Sequence, residues 1–434
     1  MTRNMKDSGI EWIGEIPEDW EISKFKRYSK SAMGNTILKT DLLENNEEGS
    51  LPVYSATQED IIFGFIKKDG LSAILNKNNL VIPARGNSIG CTKLVPYDIA
   101  TCTQTTIFSK LKNINPKFAY YCSIGFKEFW FEFDQTAIPQ ITVQQVENNY
   151  IPICSTNEQN RISNLLDRKT KQLEDIKATI LKEIKTLEEY KKSVITEAVT
   201  KGLDKNAEMK DSGIEWIGEI PKHWKIIKIK NTALLKARIG WQGLKSEEFL
   251  YDESLPYLVT GTDFKDGIVD WQNCVRISEK RFQMDKNIQI KENDLLITKD
   301  GTIGKLAIAR NCHTKASLNS GVFVVRNQGK YKYNDKYLYY VLLSEQFLLW
   351  FELNDAGNST IRHLYQRDFY NFSFTYPCLE EQVQIVAYLD KKTAIIDEAI
   401  TSKQKQLGIL EEYKKSLIYE YVTGKKEVGD VGTI

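Results

Sequence analysis

The chain has 434 residues, 41% hydrophobic and 27% charged, with 59 basic residues against 58 acidic ones. That composition excludes wholesale disorder, and the length suits about three domains. No run approaches the roughly 18 apolar residues that cross a bilayer. The start has no apolar signal core. The seven scattered cysteines form no CxxC pair, so neither a disulfide framework nor a zinc site is indicated, and a cytoplasmic protein without membrane contact is expected.

In chain order, residues 1–20 are a short repeat: MKDSGIEWIGEIPEDW at 5–20 returns as MKDSGIEWIGEIPKHW at 209–224, with fourteen of sixteen positions identical. Residues 21–154 read as a mixed α/β domain of short strands such as LVIPA and TTIF, closing on IPIC. Residues 155–202 read as one long helix. Its Ile162, Leu166, Lys169, Leu173, Ile176, Ile180, Ile184, Leu187, Lys191, Val194 and Ala198 recur at steps of three and four, a heptad seam with one stutter near Ile180. Thr156 or Asn157 is the expected cap and Gly202 the expected stop. Residues 203–224 are a linker and the second short repeat. Residues 225–378 are a second α/β domain with strands LLITK and GVFVVR, closing on TYPC. Residues 379–424 repeat the helix in the same register, from Ile385 through Lys392, Lys403 and Lys414 to Tyr421, with Gly424 as its stop; 425–434 read as a disordered tail.

The two helices match best at their ends, EQNRISNLLDRKT with EQVQIVAYLDKKT and LEEYKKSVITEAVT with LEEYKKSLIYEYVT, and diverge between. Specific contacts constrain the ends, while the middle needs only length and helicity. A rod of roughly 64 Å with one seam is not stable alone, so each helix is the natural partner of the other, in either orientation. Glu189, Tyr190 and Lys191, repeated as Glu412, Tyr413 and Lys414, suit a protein interface together with Trp12 and Trp216. The alternative for the two tryptophans is that they cap the domain cores.

Residues 225–375 carry an excess of five positive charges and 21–150 an excess of one, which leaves room for local DNA-binding patches. Two glycine-bearing loops follow strands: 84–90, with Arg85, Asn87 and Ser88 and the nearby Lys93, and 299–305, with Lys299, Thr302 and Lys305. Glycine admits close approach to phosphate, and Arg or Asn can pair with guanine or adenine. The alternative is a tight turn whose glycines serve a positive φ. Further candidates are Thr103 and Gln104, aligned with Asn319 and Ser320, and Gln140, aligned with Thr360, Arg362 and His363. Trp241 and Gln242 with Lys245 are a weaker set. No phosphate-binding loop, no segment to hold a flipped adenine, no metal-spaced histidines and no convincing carboxylate pair occur, so no catalysis by this chain is expected.

With the duplicated SGIEWIGEIP start, the EQ…LD…KT helix entries and the LEEYKKS exits together, nearly the whole chain resembles the specificity (S) subunit of a type I restriction-modification system. The resemblance implies an α+β fold: two globular α/β target recognition domains separated by two long antiparallel coiled-coil helices in a pseudo-two-fold internal repeat. It implies that each domain reads one half of a bipartite, asymmetric double-stranded DNA target, while the helices set the spacer and dock two methyltransferase (M) subunits. Restriction (R) subunits join in the full complex. No cofactor is expected in this chain; S-adenosylmethionine, ATP and Mg belong to the partners. The alternative function is a coiled-coil interaction adaptor without DNA specificity.

Overall fold

The computed structural model describes residues 3–131, 139–239, 243–312, 315–354 and 362–429. The chain divides into two compact units, Met1–Leu181 with Gln404–Ile434, and Lys182–Lys403. Each contains one α/β domain and a segment of each of two long helices, Thr156–Lys201 and Leu379–Val422.

In the first unit a four-stranded sheet runs in the order Ser29–Met33, Thr106–Leu111, Leu80–Pro83, Lys93–Leu94, all antiparallel. Leu80–Pro83 is buried on both faces, which is why it reads as a continuous apolar run rather than an alternating one. A second sheet orders Gly64–Lys67, Ser50–Tyr54, Ile99–Cys102, Ile74–Asn76, with Ser50–Tyr54 and Ile99–Cys102 parallel. The second unit has a six-stranded sheet in which Leu295–Thr298 lies between Val322–Asn327 and Leu306–Ile308, and a three-stranded sheet centred on Tyr257–Val259.

The junction between domain and helix is duplicated side chain for side chain. In the first unit the buried Trp20 donates from Nε1 to Glu158 (3.0 Å), the Gln159 side chain accepts from the Asn115 amide (2.8 Å), and Asp167 receives the Tyr121 hydroxyl (2.8 Å) and Lys117. In the second unit Trp224 donates to Glu381 (3.1 Å), Gln382 accepts from the Asn334 amide (2.8 Å), and Asp390 receives Tyr340 (2.6 Å) and Lys336 (2.6 Å). Burial raises the Tyr121 and Tyr340 hydroxyl pKa values, and the hydrogen bond to an aspartate raises them further. Each phenol therefore stays a proton donor to its carboxylate.

Ion pairs tie the helix segments together within each unit. Glu174 meets Lys414 (2.5 Å) and Lys177 meets Glu411 (2.6 Å) in the first; Lys191 meets Asp397 (2.7 Å) and Glu183 meets Lys403 (2.7 Å) in the second. In both, positions rise along one helix as they fall along the other.

Four expectations change. The cap is Ser155, whose Oγ accepts from the Glu158 amide (3.2 Å). Lys169 and Lys392 are exposed, and Thr170 and Thr393 face inward in their place, because they approach the Tyr121 and Tyr340 hydroxyls (3.2 and 3.4 Å). Ile176 is exposed where the heptad count placed it in the seam; a 3.6-residue turn drifts from a 3.5-residue repeat. The tail is not disordered through 429: Val428 is buried and its carbonyl accepts from Arg161 (2.6 Å). The helix stops are as expected, with Gly202 and Gly424 at φ 75° and 72°, a left-handed conformation that glycine adopts without a Cβ penalty. A Cβ on Gly424 would also lie 2.5 Å from Pro17.

Candidate nucleic-acid interface

Three segments that lie far apart in sequence converge at one end of each main sheet. In domain one the strand Leu80–Pro83 runs into a turn at Gly86–Ser88. The Ala84 amide donates to the Thr105 carbonyl (2.9 Å), the Ile141 amide to the Ala84 carbonyl (3.0 Å), and Arg85 forms a β-bridge with Gln140. In domain two the Lys299 amide donates to the Gly321 carbonyl (2.9 Å), and the Leu364 amide to the Lys299 carbonyl (2.9 Å). The turns close alike, Gly90 amide to Pro83 carbonyl (3.1 Å) and Gly304 amide to Thr298 carbonyl (3.0 Å). Gly86 and Gly301 have φ of 68° and 70°, so both candidate loops are tight turns that need a positive φ. This does not remove their exposed side chains from DNA.

On this frame Arg85, Asn87, Gln104 and Gln140 are exposed in domain one. Arg85 makes no ion pair among the described residues, whereas Gln104 accepts from Thr36 Oγ1 (3.0 Å). In domain two Thr302, Lys305 and Arg362 are exposed, and Lys299, Asn319, Ser320 and His363 are half-buried. The Asp300 carboxylate accepts from His363 Nδ1 (2.7 Å) and Lys299 Nζ (3.0 Å). Burial pushes the Asp300 pKa up, but those two hydrogen bonds outweigh it and hold the carboxyl below its ordinary value.

Three predicted DNA contacts are corrected. Lys93 is 1% exposed; its ammonium is held by the Ser55 carbonyl (3.3 Å) and Thr57, and burial lowers its pKa. Ser88 is buried and directs its hydroxyl to the Arg85 carbonyl (3.3 Å), closing the turn. Thr103 is buried with its hydroxyl on Ser55 Oγ (3.1 Å). Ser88 closes its own turn, while Lys93 and Thr103 are bonded to the neighbouring 55–57 segment. Thr360, Trp241 and Gln242 lie outside the described residues; Lys245 sits at the start of the turn Ser246–Glu248.

Two features escaped sequence reasoning. Asp300 lies inside the 299–305 loop but not among its candidates, because a carboxylate is repelled by phosphate unless neighbouring donors hold it. Arg238 is buried, donating to the Leu318 carbonyl and to Ser317 Oγ (both 3.0 Å), with no carboxylate bonded to it among the described residues. It fixes the strand end that leads into Asn319, and burial lowers its pKa.

Of the partner candidates, Trp12 is half-buried, stacked on Phe129 (5.2 Å), and its carbonyl accepts from Tyr419 (2.7 Å). Trp216 is half-buried, with Nε1 3.5 Å from the Ser373 carbonyl. Both cap their domain cores. Lys191 and Lys414 are corrected too, since each is taken by a carboxylate of the opposite helix. Glu189, Tyr190, Glu412 and Tyr413 remain exposed, the two tyrosines at 52% and 50%. Among the described residues no helix is long and apolar enough to cross a membrane, and no cluster of three or more His, Cys, Asp or Glu could hold a metal.

Comparison with known proteins bears on the whole chain. The family described as the type I restriction modification DNA specificity domain matches residues 17–186 and 221–407. The type I restriction enzyme MjaVIII specificity subunit of Methanocaldococcus jannaschii is 24% identical over 424 residues, covering 95% of this chain and 94% of the relative. The putative MjaX specificity subunit of the same organism is 23% identical over 437 residues, covering 96% of each. A solved chain, from a structure concerned with complex assembly and conformational transition of the type I R-M system, has a TM-score of 0.68 at 14% identity, covering 95% of this chain and 99% of that one. Its α+β fold with long helices is the fold described above. With two matched spans that together take in most of its length, this chain belongs to the type I restriction modification DNA specificity domain family.

Proposed function

We propose that this chain is the DNA sequence-reading subunit of a type I restriction-modification system, and that it has no catalytic activity of its own. Each domain reads one half of a bipartite, asymmetric duplex target through its converged loop cluster. The two long helices pair as an antiparallel coiled coil with pseudo-two-fold symmetry, set the spacer, and dock two methyltransferase subunits at the equivalent exposed tyrosines, Tyr190 and Tyr413. S-adenosylmethionine, ATP and Mg act in the partner subunits, and restriction subunits join in the cytoplasm. The observation that carries this reading is one backbone frame, built twice, presenting different exposed side chains. An adaptor that binds only proteins has no need of two unlike polar loop sets on a common frame.

The test is methylome sequencing of a host expressing the chain with its methyltransferase subunit. A single two-part motif with unlike halves is expected; methylation without any motif favours the adaptor. Inserting four residues within 176–184, matched within 399–407, is expected to lengthen the spacer and leave both halves unchanged.

A further inference from the structure

The two loop frames correspond at their entry through backbone bonds, the first turn being one residue longer before its closing glycine. Pro83, Ala84 and Gly86 correspond to Thr298, Lys299 and Gly301, and Ile141 corresponds to Leu364. Arg85 therefore stands where Asp300 stands, and Gln140 where His363 stands. The first pair is a guanidinium with no ion pair among the described residues, bridged by backbone to an exposed amide. The second is a carboxylate held by an imidazole and an ammonium. The entry into the turn is shared up to the positive-φ glycine, so the charge reversal falls on a common backbone position.

Building on the proposed function, we propose that Arg85 with Gln140, and Asp300 with His363, are the base-discriminating pairs of the two half-sites, and that their opposite character makes the target asymmetric. Arg85 offers only donors in a planar fork, which fits the O6 and N7 acceptors of guanine. Asp300 offers only acceptors, which fits the N4 amino group of cytosine. Adenine fits it less well, because N7 sets a second acceptor beside the N6 donor. A bare carboxylate would be repelled by the phosphates. His363 and Lys299 offset that repulsion and fix the carboxylate plane while leaving one lone pair on each oxygen for a base. The Arg85 position thus requires guanine on the contacted strand, and the Asp300 position requires cytosine.

The experiment is selection from a randomised duplex library by the full-length chain assembled with its methyltransferase subunit. The wild-type complex is expected to select a two-part motif. R85A is expected to relax a guanine in one half only, and D300A a cytosine in the other half only, each losing roughly 5- to 150-fold discrimination against the wrong base. The double variant D300R with H363Q, which installs the first domain's pair in the second, is expected to replace the cytosine requirement with guanine. Unchanged base preferences with uniformly weaker binding would make these phosphate contacts and overturn the proposal, as would relaxation of another base or of both halves. The single alanine variants decide the matter if the double variant does not fold. A wild-type complex that selects no motif overturns the proposed function itself, and that result is read before any variant is made.

Discussion

The domain–helix junctions and the glycine-bearing loops of this protein are both built twice, but they have been held to different standards. At the junctions the same side chains make the same bonds: Trp20 and Trp224 on Glu158 and Glu381, Tyr121 and Tyr340 on Asp167 and Asp390. At the loops only the backbone bonds recur, and Arg85 occupies the backbone position that the oppositely charged Asp300 occupies in the second. A buried contact constrains both partners, because a partner left unbonded in a desolvated place is costly. An exposed side chain on a fixed turn is constrained only by what it touches outside the protein. The difference separates residues that hold the domains from residues free to vary on a fixed turn.

The largest effect that could break this comparison is at the buried tryptophans. Trp20→Ala and Trp224→Ala are each expected to cost about 3–5 kcal/mol, measured by denaturant unfolding with hydrogen exchange assigning the loss to one unit. A loss in only one of the two variants would deny that the junctions are equivalent. Next come Tyr121→Phe and Tyr340→Phe, each removing one hydrogen bond to a carboxylate at a cost of about 1.5–3 kcal/mol; matched losses are expected, and a difference larger than the effect itself would count against duplication. At the loops, Lys305→Ala is expected to lower the slope of log affinity against log salt by roughly 0.9. Lys93→Met is expected to leave that slope unchanged, because its ammonium is turned inward; a fall in slope with Lys93→Met would return that residue to the interface.

The smallest effect is a pH dependence peculiar to the second domain. Glu248 is held at about 2, mainly by hydrogen bonds from Arg281, against an ordinary value of 4.5. A carboxyl depressed on folding contributes stability above its unfolded pKa, and the contribution is lost as pH falls toward the folded value. Amide protection across 245–283 is therefore expected to weaken between about pH 4.5 and 2. Arg281→Met is expected to remove that dependence, and an unchanged acid profile in that variant would show that the pair does not govern it.

Much of this arrangement was legible in the chain. The offset repeats disclosed two half-chains, the heptads gave two long helices, and the glycine spacing located both turns. What escaped has a common cause. Composition and period report that a side chain is polar, but not whether it points out of a turn or closes it. Ser88, Thr103 and Lys93 were all polar residues in the right places, and all three are spent inside the protein. Lys191 and Lys414 were repeated and charged like a docking patch, yet their repetition reflects the opposite helix.

By itself, then, the sequence determined the duplication, the element order and the presence of two unlike polar loop sets, because these depend on local propensity and on residue identity recurring at a fixed offset. Only the tertiary structure decided that Gln140 and His363 occupy one position beside Arg85 and Asp300, since that equivalence is carried by backbone hydrogen bonds to segments some sixty residues away. Such bonds leave no mark on the identity of the residues that make them.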